Sequence, residues 1–130
     1  MGKTVLAVDD EVHTREFVST VLEENGYTPV LATNGDEAMD IIRQQKPDLI
    51  ILDILMPKQS GIRLYRELKA DESLRSIPVI VYSGISRRTL LRAQAALAES
   101  SGKSVPDPDA YLEKPVRPER LAATIKKILG

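Results

Sequence analysis

The chain has no cysteine and no tryptophan, a single histidine, one Phe and four Tyr in 130 residues. The missing thiols exclude disulfides, thiolate catalysis, Cys-ligated zinc and iron–sulfur clusters together. So few aromatics leave little for stacking nucleobases, and the basic residues are scattered rather than striped, so no direct nucleic-acid binding is expected. Apolar runs stop at five or six residues, against the roughly 20 that a membrane helix needs. Met1–Lys3 are too few to carry an address, and no signal-peptide apolar region follows them. The expectation is a soluble cytoplasmic protein without membrane association. Neither sign of charge dominates: 18 Lys plus Arg stand against 19 Asp plus Glu, for a net charge of −1.

What is present is ordinary globular composition, with 42% apolar and 28% charged residues. The length suits one domain spanning 1–130, large enough for a core that needs no staples. The charge is unevenly spread. Residues 1–83 hold nine basic and fourteen acidic side chains, a net of −5, and residues 84–130 hold nine and five, a net of +4. Such asymmetry steers partners, or it is a chance imbalance between solvated faces.

Hydrophobic periodicity alternates along the chain. Thr4–Val8 is a short β-rich run ending in Asp9-Asp10. From Glu11 to Asn25 the spacing is helical, with Val12, Phe17, Val18, Val21 and Leu22 as the inward stripe and Asn25-Gly26 as the stop. Thr28–Ala32 reads as a second strand. Thr33 or Asn34 can cap a helix through about Gln45, with Ala38, Ile41 and Ile42 inward, which Pro47 breaks. Leu49–Leu52, a continuous apolar run between Asp48 and Asp53, suits a strand buried on both faces. A loop with Met56-Pro57 and Ser60-Gly61 precedes a helix over about Ile62–Ala70. Pro78–Tyr82 reads as the fourth strand, Arg87–Glu99 as a helix, Ser100–Pro108 as a loop, and Ala110–Leu112 as the fifth strand. Pro118 suits the first turn of a final helix reaching Leu129. Five strands alternating with five helices, with right-handed crossovers, predict an α/β fold: a doubly wound, open parallel sheet with helices on both faces. Ligands of such sheets gather beyond the carboxyl ends of the strands.

Reactive side chains stand at those ends. Asp9 and Asp10 follow strand one, Asp53 strand three, Ser83 strand four and Lys114 strand five. Each has a dull reading taken alone: a helix cap for Asp10, a turn residue for Asp53 and Ser83, a solvated surface charge for Lys114. Together they make one pocket if strand one lies between strands three and two. Crowded carboxylates repel unless a cation joins them, and Mg²⁺ fits oxygen ligands and a ligand phosphate. Asp10 and Asp9 would hold the metal, with a backbone carbonyl from the loop after Asp53 as a further ligand. The Asp53 carboxylate would attack phosphorus and form an acyl phosphate. Lys114 would supply positive charge and Ser83 a hydroxyl donor, which is most of what phosphoryl transfer requires.

The order Asp9-Asp10, Asp53 with Met56-Pro57 and Gly61, Ser83-Gly84, then Tyr111-Leu-Glu-Lys114-Pro115 resembles the receiver domain of bacterial response regulators over nearly the whole chain. The resemblance implies the flavodoxin-like strand order 2-1-3-4-5 and a two-component signalling switch phosphorylated by a sensor histidine kinase or a phosphotransfer protein. It implies Asp53 as the phosphoacceptor, Asp9, Asp10, Asp53 and the Leu55 carbonyl as Mg²⁺ ligands, and Ser83 and Lys114 as contacts of the phosphoryl group. Tyr111 would be the switch aromatic, turning inward as Ser83 closes on the phosphate. A cis Lys114-Pro115 bond is implied as well.

Departures from the family pattern carry expectations of their own. Ser83 and Lys114 lie 31 positions apart, more than in a compact receiver, and the extra length falls on the 84–130 surface that receivers use for output. It would affect the choice of downstream protein target or homodimerisation, or be a tolerated surface insertion. Leu55 and Ile85 occupy positions whose side chains influence water attack on the acyl phosphate in the family. Two apolar groups cannot orient a water, so self-dephosphorylation is expected to be slow. The chain ends one helix after Lys114, which favours a stand-alone regulator acting by protein contact over a fragment of a larger response regulator or hybrid kinase.

Rival functions fit less well. Haloacid-dehalogenase-like phosphatases place a second Asp two positions after the nucleophile, where this chain has Leu55, so an enzyme acting on phosphomonoesters is not expected. A flavin module would want a Ser/Thr/Gly-rich loop after strand one instead of Asp9-Asp10-Glu11. His13, in the first turn of helix one, is expected to be an exposed helix residue rather than a phosphocarrier. The runner-up is a receiver-fold interaction module that works without phosphorylation.

Overall fold

The computed structural model describes residues 2–101 and 105–130. Five strands alternate with five helices: β1 Thr4–Val8, α1 Val12–Glu24, β2 Thr28–Ala32, α2 Gly35–Gln44, β3 Leu49–Leu52, α3 Ser60–Ala70, β4 Val79–Ser83, α4 Arg87–Ser101, β5 Ala110–Glu113 and α5 Pro118–Leu129. All strand pairs are parallel, in the order β2-β1-β3-β4-β5. This is the doubly wound, flavodoxin-like arrangement. The central strands are apolar throughout because helices cover both of their faces. Leu6, Val8, Ile50, Leu52, Val79 and Val81 pack toward α2, α3 and α4. Val5, Ala7, Leu49, Ile51, Ile80 and Tyr82 pack toward α1 and α5.

Local chemistry sets the helix boundaries. The Asn34 side chain accepts the Glu37 N–H at 2.8 Å while the Glu37 carboxylate accepts the Thr33 N–H at 2.9 Å, a reciprocal cap that starts α2. Gly26, just past α1, has φ +82°, a left-handed conformation that glycine adopts at no steric cost. Pro57 opens a single 3-10 turn, Pro57–Gln59, that runs straight into α3.

Five expectations need correction. The fourth strand runs Val79–Ser83 rather than Pro78–Tyr82, since proline has no N–H to give the ladder while Ser83 pairs with Glu113. Val12 is 48% exposed rather than inward. It opens α1 beyond Val8, where β1 has ended and no strand remains beneath it. The third helix starts at Ser60 instead of Ile62, because the turn after Pro57 already sets the helical path. The fifth strand extends to Glu113, drawn on by the pairing of Ser83 with Glu113. The loop expected over Ser100–Pro108 is shorter at its start, since α4 includes Ser100 and Ser101; its residues 102–104 lie outside the described residues. Among its described side chains α4 buries only Leu90. No described helix is long and apolar enough to cross a membrane.

Gly61 fixes how the loop after β3 meets α3. A methyl group there would sit 2.2 Å from the Asp53 carbonyl oxygen and 2.7 Å from Ile54 Cα, so the helix approaches the strand end only because this residue has no side chain. Gly61→Ala is expected to destabilise the protein by about 1–3 kcal/mol, the usual cost of overpacking, read as a lower urea midpoint. An unchanged midpoint would refute the close-approach explanation.

Candidate functional site

The strands place four side chains within reach of one another at the carboxyl end of the sheet. The Asp9 N–H bonds Ala32 O at 3.1 Å and the Asp53 N–H bonds Val8 O at 3.0 Å, so the two acids leave neighbouring strands at the same level. The Lys114 N–H bonds Ser83 O at 2.8 Å, which brings the lysine to the same rim from β5. Asp9, Asp53 and Ser83 are buried, at 4%, 5% and 0% exposure. Asp10 is exposed.

The Lys114 ammonium bridges the two buried acids, donating to Asp9 Oδ2 at 2.8 Å and Asp53 Oδ2 at 3.2 Å. It also lies 5.6 Å from the centre of the Tyr82 ring, a favourable cation–π placement. Asp9 Oδ1 accepts the Glu11 N–H at 2.9 Å. Asp53 Oδ1 accepts both the Leu55 N–H and the Ser83 hydroxyl at 2.8 Å. Every oxygen of the buried pair therefore has a donor, which is the condition for burying carboxylates at tolerable cost.

Burial pushes the Asp9 carboxyl above its ordinary value, against the hydrogen bonds from Lys114 and Glu11. Burial also opposes the charge of Lys114, but the Asp9 hydrogen bond and the attraction of both carboxylates outweigh it, so its pKa stands above the usual lysine value. Burial, with Glu113 and Asp53 nearby, raises the Tyr111 phenol.

Oxygens of Asp9, Asp10 and Asp53 all lie within 4.8 Å of one another. An all-carboxylate set of this spacing suits a hard divalent cation, and it contains no nitrogen or sulfur donor that would favour zinc or copper. Asp10 makes no hydrogen bond or ion pair among the described residues and so has both oxygens free for such an ion.

The structure thus brings Asp9, Asp10, Asp53, Ser83 and Lys114 together, as the sequence predicts. The Leu55 backbone N–H contacts Asp53 while its side chain is 60% exposed. Tyr111 is half-buried against the core, its hydroxyl donating to the Ile85 carbonyl. Lys114-Pro115 is cis. His13 is exposed, as expected, its Nδ1 3.8 Å from the Glu16 carboxylate. Two participants were not foreseen. Tyr82 lies under the ammonium, where it reads in sequence as a strand residue. Arg15 donates through Nη1 to the Asp9 carbonyl at 2.8 Å; its helical spacing shows nothing of that bond.

Sheet and site together define an α/β protein of flavodoxin-like topology with an acid–lysine pocket at the strand ends. Residues 5–126 match the family model described as the response regulator receiver domain, and the chain belongs to that family. It is 33% identical to the polar-differentiation response regulator DivK of Brucella anthropi over 130 residues, covering all of this chain and 98% of DivK. It is 38% identical to the phosphate regulon transcriptional regulatory protein PhoB of Pseudomonas aeruginosa over 129 residues, 99% of this chain but 52% of PhoB; the chain spans about half the length of that relative. Among solved structures, the signal receiver domain of a signal transduction histidine kinase from Syntrophus aciditrophicus superposes with TM-score 0.82 at 33% identity, covering 98% of this chain and 90% of that one. The chemotaxis response regulator CheY4 of Vibrio cholerae gives TM-score 0.82 at 26% identity, covering 99% and 100%.

The pKa directions fix the sign of a stability effect. The folded chain keeps the Asp9 proton after the unfolded chain has lost it. Stability therefore falls as pH rises from the ordinary value of 3.8 through the higher folded value, and the loss persists at neutral pH. The Lys114 contribution is full below its ordinary 10.5 and is lost as pH rises through the still higher folded value. In metal-free buffer at pH 7, Asp9→Asn is expected to melt a few degrees above the native protein, with the advantage vanishing below about pH 3.8. A variant that melts lower at pH 7 would show that the Lys114 pairing outweighs the cost of burying the charge.

Proposed function

We propose that the chain is a phosphorylation-activated signalling switch in the cytoplasm, one receiver unit over 1–130, that takes a phosphoryl group from a sensor histidine kinase or phosphotransfer protein onto Asp53. The observation that carries this reading is the surroundings of Asp53: a buried carboxylate at a strand end with an ammonium at 3.2 Å and a hydroxyl at 2.8 Å.

An Asp53 carboxylate oxygen attacks the phosphorus of a phosphohistidine. The new P–O bond forms as the P–N bond breaks, the electron pair leaves with the imidazole nitrogen, and that nitrogen takes a proton from solvent. Lys114 and Ser83 hold the transferred oxygens by a charge and a hydroxyl donor. Asp9, Asp10, Asp53 and the Leu55 carbonyl would hold Mg²⁺, which when bound supplies charge neutralisation of the phosphoryl oxygens. Ser83 and Tyr111 then transmit the state of Asp53 to α4 and β5. A phosphoryl group shifts the population only by making better contacts in one arrangement than in the other. The signal leaves through the 84–130 face to a downstream protein, or to a second copy of the chain. The chemistry is confined to the protein's own phosphorylation and a slow hydrolysis, because Leu55 and Ile85 have no polar group with which to orient water.

One observation favours the second reading, an interaction module that needs no phosphorylation: the Tyr111 hydroxyl already bonds the Ile85 carbonyl and the Ser83 hydroxyl already bonds Asp53. Incubation with Mg²⁺ and acetyl phosphate followed by intact mass measurement separates the two. The switch reading predicts a gain of about 80 Da from one phosphoryl group, absent in Asp53→Asn and decaying over far longer than seconds once acetyl phosphate is removed. No gain with the native chain would leave the phosphorylation-independent module.

A further inference from the structure

We propose that Arg15 is a positioning residue for the metal site, acting by orienting Asp10; the inference rests on the Mg²⁺ site proposed above. Arg15 lies on the second turn of α1 and is half-buried. With three carboxylates gathered nearby, an arginine would ordinarily pair with one of them in a bidentate fork. Here no carboxylate among the described residues lies within 4.0 Å of its guanidinium, and the guanidinium donates instead to a neutral main-chain oxygen, Asp9 O, at 2.8 Å.

That oxygen belongs to the peptide joining Asp9 to Asp10. The six atoms of a trans peptide share a plane, so a donor that holds the Asp9 carbonyl also fixes where the Asp10 N–H and Cα lie. The rest of Asp9 is held independently: its N–H by Ala32 O, one carboxylate oxygen by Glu11 N–H and the other by Lys114. Asp10 has none of these ties. Its side chain is exposed and makes no hydrogen bond among the described residues, yet its oxygen stands within 4.8 Å of those of Asp9 and Asp53. Two side-chain contacts hold the peptides on either side of Asp10: the Asp9 carboxylate takes the Glu11 N–H after it, and Arg15 takes the Asp9 carbonyl before it, so Arg15 sets the direction in which the chain enters Asp10. Preorganising an exposed ligand in this way removes ordering cost from metal binding.

The sign of the effect distinguishes this role from simple electrostatics. Arg15 is a cation near a cation site, so a purely through-space role predicts that its removal tightens Mg²⁺ binding. Positioning predicts the opposite. Mg²⁺ is titrated into the native protein, Arg15→Met (which keeps the apolar stem), Arg15→Lys, Asp10→Asn and the Arg15→Met/Asp10→Asn double variant, with backbone amide NMR shifts as the readout. The expected result is affinity about 10-fold weaker in Arg15→Met, as for other residues that orient metal ligands, with partial recovery in Arg15→Lys. Against the Asp10→Asn background, adding Arg15→Met should change affinity little, because the oriented ligand is already gone. Equal or tighter binding by a folded Arg15→Met overturns the inference while leaving the metal site standing, as does an equal further loss in the double variant. Absence of saturable binding by the native protein overturns both.

Discussion

Three carboxylates crowded at one end of a parallel sheet repel one another, and the ammonium of Lys114 is what lets two of them be buried side by side. It reaches Asp9 and Asp53 at 2.8 and 3.2 Å from a residue 105 and 61 positions away. Those separations are large, so the bridge exists only when β5, β1 and β3 are all in place. The sheet order provides this: β1 and β3 are neighbours, and β4 carries the Lys114 backbone through the bond to Ser83 O. Remove the ammonium and the fold would bury two like charges with no counter-ion, an arrangement that proteins avoid by protonating or by unfolding locally.

The same bridge explains why the site suits a transferable charged group. Lys114 offers three N–H donors and spends two of them on carboxylates. Ser83 already points at Asp53, and Asp10 has no partner among the described residues at the rim. A cation set into the acids would release part of the demand on Lys114, and an anion attached to Asp53 would claim the released donors. Burial works against the charge of Asp9 even though both its oxygens are hydrogen-bonded. The Tyr111 hydroxyl bonds the Ile85 carbonyl, tying β5 to the loop that leads into α4, and Leu90 is the one buried residue among the described side chains of α4.

Much of this was legible in the chain. Strands are readable where their apolar runs stop at sharp punctuation, Asp9 after Val8 and Pro47-Asp48 before Leu49, whereas the fourth strand, read as Pro78–Tyr82, is shifted by one residue. A strand's reactive residue falls just after such a run, so Asp9, Asp10, Asp53, Ser83 and Lys114 could be placed at one rim from spacing and topology alone, while the strand order and the part of Tyr111 came from the family resemblance. Other features left no periodic trace. Val12 fits the helical stripe yet is exposed, since the stripe does not record where the neighbouring strand ends. The two-residue error at the start of α3 arose because a 3-10 turn at Pro57 carries no hydrophobic period of its own. The Arg15 bond goes to a backbone carbonyl, which every residue has, and the Tyr82 ring faces Lys114 across a strand junction. Contacts of these two kinds emerge only from three-dimensional placement.

The most direct measurement is a crystal structure of the native protein with Mg²⁺ and beryllofluoride, a stable stand-in for the phosphoryl group. The expected result is the beryllium group joined to an Asp53 carboxylate oxygen, with Lys114 Nζ and Ser83 Oγ within hydrogen-bonding distance of its fluorines. An unmodified Asp53 under saturating reagent, or Lys114 turned away to solvent beside a modified one, would contradict the central role given to that lysine and that acid.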